Sequence, residues 1–193
     1  MAKLYFRFGA MGSSKTANAL MTRYNFLEKG KRVLLVKPDI ETRDGQNMVK
    51  SRLGIQAECI LWSELQNYDE RTVRGYDAII VDEVQFLQES DIDLLASIVD
   101  DYKIPVLCYG LRTDFASHLF PGSRRLMELA DDITELKTVC WCGKKANMNA
   151  RIDEKGQILR DGEQIFLGAN DNYVSLCRKH YKEGKVKPDE TVD

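Results

Sequence analysis

Apolar residues fall along this chain in short continuous runs separated by stretches of helical periodicity. Leu4 to Phe8 reads as a buried strand, and from Thr16 a helical pattern runs through Leu20, Tyr24 and Leu27 until Gly30 can cap it. Arg32 to Val36 is a second β-branched run. After a polar stretch, Asp77 to Val81 is a third, ending in Asp82-Glu83, and Asp91 to Asp101 suits a helix with Ile92, Leu95 and Val99 inward. Pro105 to Tyr109 predicts another strand, Ser123 to Ala130 a helix with Leu126 and Leu129 on its apolar side, and Ile133 to Leu136 a last short strand. Unbroken apolar strands alternating with amphipathic helices predict an α/β fold, a mainly parallel sheet with helices on both faces. From Thr138 the texture changes to short segments, a turn at Asp153-Glu154-Lys155-Gly156, two cysteine clusters and a charged end from Lys182 that reads as solvated. A boundary is therefore expected between a domain at 1–137 and a smaller one at 138–193. The smaller one lies near the size at which a fold needs a metal or disulfide staple.

Composition narrows the function classes. With 28 Lys plus Arg against 30 Asp plus Glu, a net charge of −2 leaves no general field to draw the chain onto nucleic acid or an anionic membrane. The longest apolar runs, such as Val33 to Val36 and Ala78 to Val81, fall far below the roughly 20 residues of a membrane span. Arg7 interrupts the first apolar stretch and a glycine turn follows at once, unlike a signal peptide, so a cytoplasmic protein is expected. Five cysteines, three of them toward the C-terminal end beside a histidine, suit metal binding better than a disulfide framework.

Three motifs carry chemistry. Gly9-Ala10-Met11-Gly12-Ser13-Ser14-Lys15-Thr16 lies between a predicted strand and a predicted helix, the setting of a phosphate-binding loop. In such a loop successive N–H groups curl around the β-phosphate, Lys15 reaches the β and γ oxygens, and the Thr16 hydroxyl ligates Mg²⁺. The strict pattern has glycine immediately before the lysine; Ser14 stands there instead. A left-handed backbone at that position would cost roughly 1–2 kcal/mol. The second motif is the strand end Asp82-Glu83. Asp82 is placed to hold Mg²⁺ beside a triphosphate, and Glu83, pointing elsewhere because strand neighbours alternate faces, is left for proton work. The third is Cys140-Trp141-Cys142 with Cys177-Arg178-Lys179-His180, two close ligand pairs matching a tetrahedral structural zinc site. Cys59 and Cys108 sit in apolar contexts and read as small core residues, and His118 as a loop residue.

Loop, strand-end acids and zinc motif, in this order, resemble the thymidine kinases of the cellular, zinc-containing type. Tyr5 to Met11, Thr42-Arg43-Asp44-Gly45, Val81 to Leu87, Pro105 to Phe115, Pro121-Gly122-Ser123 and Gly162 to Tyr181 extend the similarity over nearly the whole chain. The resemblance implies transfer of the γ-phosphoryl of ATP to the 5′-hydroxyl of thymidine, with Glu83 as general base. It implies that Gly9 to Thr16 and Asp82 to Gln85, including Val84, hold ATP, and that Thr16, Asp82 and Glu41 position Mg²⁺. It places Met11, Phe86, Leu111, Phe115, Phe120, Gly168 and Tyr173 around the nucleoside, under a lasso from about Asn147 to Tyr173 anchored by Zn²⁺. A homotetramer inhibited by thymidine triphosphate is implied as well.

Some positions depart from the family's usual residues: Ser14, Glu41 for aspartate, Ala116 for arginine, Asn149 for a less polar residue, and Ala169 for glycine. These departures keep a second reading open, a non-catalytic nucleotide-binding or regulatory relative with a drifted site. A third, a zinc-ribbon nucleic-acid binder, has only Arg178, Lys179, Lys182 and Lys185 in its favour, with no interleaved aromatic residues.

Overall fold

The computed structural model of the chain describes residues 1–42, 45–165 and 172–188. Its elements follow in the order β1 (Leu4–Phe8), α1 (Lys15–Glu28), β2 (Val33–Lys37), β3 (Met48–Lys50), β4 (Gln56–Glu58), β5 (Ile60–Leu61), α2 (Trp62–Gln66), α3 (Glu70–Val73), β6 (Ala78–Val81), a 3₁₀ turn (Val84–Phe86), α4 (Glu89–Tyr102), β7 (Val106–Gly110), α5 (Pro121–Leu129) and β8 (Asp132–Glu135). After these come β9 (Thr138–Val139), β10 (Lys145–Ala146), β11 (Met148–Ile152), β12 (Ile158–Leu159), β13 (Tyr173–Leu176) and α6 (Arg178–Glu183).

Six strands form one parallel sheet in the order β5-β2-β6-β7-β1-β8. Strands β2, β6 and β7 are buried on both faces throughout, which explains why they are apolar with almost no alternation. Leu34, Val36, Ile79, Val81, Val106 and Cys108 face one core with Ile92, Leu95, Ile98 and Val99 of α4 and Leu126 of α5. Their strand neighbours Val33, Leu35, Ala78, Ile80, Leu107 and Tyr109 face the other, with Ala19 and Leu20 of α1. The predicted α/β layering is thus the observed one. Because β7 alone separates β1 from β6, the loop after β1 and the acids after β6 meet at the carboxyl ends of the sheet.

Two stretches differ from expectation. The polar segment after β2 holds the antiparallel hairpin β3-β4, the edge strand β5 and two short helices whose Trp62, Leu65 and Val73 reach the core. Helix α5 starts at Pro121 rather than Ser123, its proline taking the first turn, where no intrahelical N–H bond is needed.

Beyond β8, β9 and β10 pair as a hairpin and β12-β11-β13 form an antiparallel sheet. Cys140, Ala146, Ala150, Leu176 and Cys177 make a small core of their own. The charged end stays exposed over 182–185, as expected, but is ordered rather than frayed: Lys182 and Glu183 complete α6, Gly184 closes it at φ 76°, and Lys185 N–H donates to the His180 carbonyl at 3.0 Å. Among the described residues no helix is long and apolar enough to cross a membrane.

Candidate active site and metal centre

The loop between β1 and α1 is a tight cradle. Gly9 has no room for a Cβ, which would collide with the Ser13 hydroxyl and the Leu136 carbonyl, and Gly12 takes φ 73°. Ser14 sits at φ 58° and ψ 29°, so the position does require left-handed backbone and the serine bears its cost. Helix α1 begins at Lys15 with no acidic residue in its first turn, leaving its N-terminal N–H groups and partial positive charge turned to the loop. Lys15 is buried, and its Nζ donates to the carbonyls of Gly9 at 3.2 Å and Ala10 at 2.9 Å and to Ser13 Oγ at 3.4 Å. A cation is thus stored inside the cradle, within reach of any anion that enters it.

Asp82 is 3% exposed, and its Oδ1 finds no hydrogen-bond partner among the described residues. Burial, and then the charge of Glu83, push its carboxyl well above the usual carboxylate range; the Thr16 hydroxyl, the Glu83 N–H and Lys15 pull the other way. Thr16, Glu41 and Asp82, the three residues expected to position Mg²⁺, line one cavity of about 20 Å³ together with Lys37 and Glu83. That space suits a single small ion or water.

Glu83 diverges from Asp82, but not through strand alternation as expected. Strand β6 ends at Val81, and Glu83 turns at φ 53° and ψ 36°, a left-handed conformation that swings its carboxylate out of the sheet. Gln85 Nε2 donates to Glu83 Oε2 at 2.6 Å, and Gln85 Oε1 accepts the Leu111 N–H at 3.0 Å. Gly110 makes this possible, since a Cβ there would lie 2.5 Å from Gln85 Oε1. Glu83 and Thr16 also line a larger cavity of about 550 Å³, walled by Met11, Gly12, Ser14, Lys15, Ala17, Leu111 and residues 50–54 of the β3-β4 hairpin.

The remaining expected residues are less gathered. Val84 is fully buried in the core, and Phe86 packs edge-on to Phe120 with centroids 6.2 Å apart. Phe115 lies under the Arg151 guanidinium at 3.9 Å, and Arg151 Nε donates to the Tyr173 hydroxyl at 2.8 Å. Met11 and Leu111 line the larger cavity, whereas Phe86, Phe115, Phe120 and Tyr173 do not. Gly168, Arg43 and Ala169 lie outside the described residues. Two residues of the site were not foreseen. Lys37, 1% exposed, donates to the carbonyls of Gly45 at 2.6 Å and Met48 at 2.9 Å, and its only signal was a charge closing an apolar run. Arg151 also donates to the Glu163 carbonyl at 3.0 Å, a contact no local pattern announces.

The zinc motif does assemble. One ligand atom from each of Cys140, Cys142, Cys177 and His180 lies within 4.8 Å of the others, with Cys140 Sγ to His180 Nδ1 at 3.4 Å and Cys142 Sγ to Cys177 Sγ at 4.0 Å. Ligands about 2.3 Å from a tetrahedral Zn²⁺ would be spaced by about 3.8 Å, so this cluster can bind structural zinc. Burial pushes the Cys140 thiol up, but N–H groups of Cys142 and Cys177, then His180 and Cys142 side chains, bring it down to about 6, favouring the thiolate a metal needs. Trp141 stacks on the His180 ring at 4.1 Å and fixes its plane.

Ser14→Gly should stabilise the protein by roughly 1 kcal/mol, read from urea unfolding, because glycine carries no penalty at φ 58°; no gain would mean that the loop relaxes around serine. Elemental analysis of the purified protein should find about one zinc per chain, lost in Cys177→Ser together with a lower unfolding temperature. Full stability in a metal-free sample would contradict that assignment.

A sequence profile described as Thymidine kinase matches residues 2–181. Curated relatives named thymidine kinase include one from Rhodopirellula baltica, 44% identical and covering 95% of this chain and 89% of its own. Another, from Shewanella oneidensis, is 43% identical and covers 95% and 98%; one from Legionella pneumophila strain Lens is 44% identical and covers 96% and 92%. With a profile spanning nearly its whole length and relatives this similar end to end, the chain belongs to the thymidine kinase family.

Proposed function

We propose that the protein transfers the γ-phosphoryl group of ATP to the 5′-hydroxyl of thymidine, giving thymidine monophosphate and ADP. Family membership supports the substrates. The observation that supports the mechanism is that Glu83, held by Gln85, borders both the small cavity with Asp82 and the large one with Lys15.

Phosphoryl transfer asks for placement and charge neutralisation more than for covalent help. The donor triphosphate lies in the cradle of Gly9 to Thr16, where main-chain N–H groups and the α1 terminus receive its β-phosphate and Lys15 turns from the loop carbonyls to its oxygens. Asp82, Thr16 and Glu41 would hold Mg²⁺; the open Oδ1 of Asp82 fits that purpose, since an oxygen buried without a donor is satisfied by a cation. When bound, Mg²⁺ neutralises charge on the β and γ oxygens. Glu83 takes the proton of the 5′-hydroxyl as that oxygen bonds to the γ-phosphorus, and the bond to the bridging oxygen breaks to release ADP. Gln85 is buried and fixes the direction of that carboxylate.

On the nucleoside side, Met11 and Leu111 form an apolar wall of the large cavity. Phe86, Phe115, Phe120, Gly168 and Tyr173 are assigned to the nucleoside by the resemblance, and Val84 to the donor on the same ground. Residues 138–193 act as a unit whose Zn²⁺, held by Cys140, Cys142, Cys177 and His180, ties the β9-β10 turn to α6; their separate small core supports that division from 1–137. Family membership is also the support for a homotetramer, inhibition by thymidine triphosphate and a cytoplasmic location.

Steady-state kinetics of Glu83→Gln test the assignment. Turnover should fall by about 10²–10⁴-fold, the usual worth of a positioned base, with KM for ATP within about threefold of wild type. A parallel loss of ATP affinity would make Glu83 a structural group.

A further inference from the structure

Asn149, the second residue of β11, is 4% exposed, where a short antiparallel strand would ordinarily bury an apolar side chain. Its amide is used at both ends. Oδ1 accepts the Met11 N–H at 2.8 Å, and Nδ2 donates to the Thr113 carbonyl at 2.9 Å. These two partners fix which end of the amide is oxygen, because one is a donor and the other an acceptor. Across the sheet, the residue paired with Asn149 is Ser175 of β13, and its hydroxyl donates to the Met11 carbonyl. One cross-strand pair of side chains therefore takes both main-chain groups of a single residue of the phosphate loop. Thr138, at the start of β9, adds a bond from its hydroxyl to the Gly12 carbonyl at 3.3 Å.

Met11 stands between Gly9, which has no room for a Cβ, and Gly12 at φ 73°, where the chain reverses; the Ser13 N–H is spent within the loop on the Ala10 carbonyl at 3.2 Å, so the N–H groups at issue for an anion are those of Gly12 and Ser14. Which way those groups point is decided by the peptides on either side of Met11. With both main-chain groups of Met11 held from outside, the peptide planes feeding Gly12, Ser13 and Ser14 have little freedom left. We infer that Asn149, with Ser175, is a positioning residue for the donor nucleotide: it touches no phosphate, but it sets the loop geometry that does. This inference rests on the kinase reading for the identity of the donor. An apolar side chain at 149 could neither accept from the Met11 N–H nor donate to the Thr113 carbonyl.

The test compares wild type, Asn149→Val and Ser175→Ala, using calorimetric affinity for Mg·ADP without nucleoside and KM values for ATP and thymidine. Asn149→Val should weaken Mg·ADP, measured without nucleoside, about tenfold and raise KM for ATP similarly. Ser175→Ala should shift the donor constants in the same direction by at least threefold. The double variant should be little worse than Asn149→Val, because both side chains act on one residue. Donor affinity unchanged in a cooperatively folded Ser175→Ala protein would overturn the inference, and so would a rise in thymidine KM alone. Should Asn149→Val fail to fold, Ser175→Ala decides by itself. Wild type that binds Mg·ADP but yields no thymidine monophosphate would instead count against the kinase reading, leaving the binding comparison intact.

Discussion

The site is organised around a carboxylate that the fold buries and leaves half satisfied. Strand β6 is apolar from Ala78 to Val81 and packed on both faces, so the residue that follows it is carried into the interior whatever its chemistry. Asp82 arrives there with Oδ1 unpartnered among the described residues and a second carboxylate next in the chain. Such a group is costly unless a cation joins it. Around it the structure gathers what such a cation requires: the Thr16 hydroxyl, Glu41, and a space of about 20 Å³ between them. Lys15 and Lys37 add positive charge nearby, each tied to main-chain carbonyls.

Backbone strain sits on the same ground. Among the described residues four non-glycine residues have positive φ, and two of them, Ser14 and Glu83, flank the large cavity. At Ser14 the left-handed turn starts α1 directly behind the phosphate cradle. At Glu83 it turns a carboxylate away from Asp82 and toward Gln85. Strain of this kind persists only where neighbours over-determine it. At Glu83 that neighbour is Gln85, for which Gly110 leaves room.

The parts legible in the sequence were those governed by local pattern. Continuous apolar runs marked β2, β6 and β7 because strands buried on both faces allow little polar alternation. Helix α4 was legible because Ile92, Leu95 and Val99 recur on one face. The zinc ligands were visible because each pair is close in the chain. The segment between β2 and β6 was not, since strands of two or three residues and helices of four or five carry no measurable period. Glu83's direction was assigned to strand alternation when a left-handed turn sets it, and φ is not written in a glutamate. Asn149 looked out of place for a similar reason: its partners, Met11 and Thr113, lie 138 and 36 residues away, and only the folded chain brings them to it.

Asp82 and Glu83 are proposed to divide cation and proton work in passing a phosphoryl group to thymidine. The most direct measurement follows ADP formation from ATP over a Mg²⁺ titration, without nucleoside and with thymidine, deoxyuridine, deoxycytidine or deoxyguanosine. Turnover should need both Mg²⁺ and a nucleoside and be fastest with thymidine, with one thymidine monophosphate formed per ADP. ATP that binds without turnover on any nucleoside, or ADP release indifferent to thymidine, would contradict it.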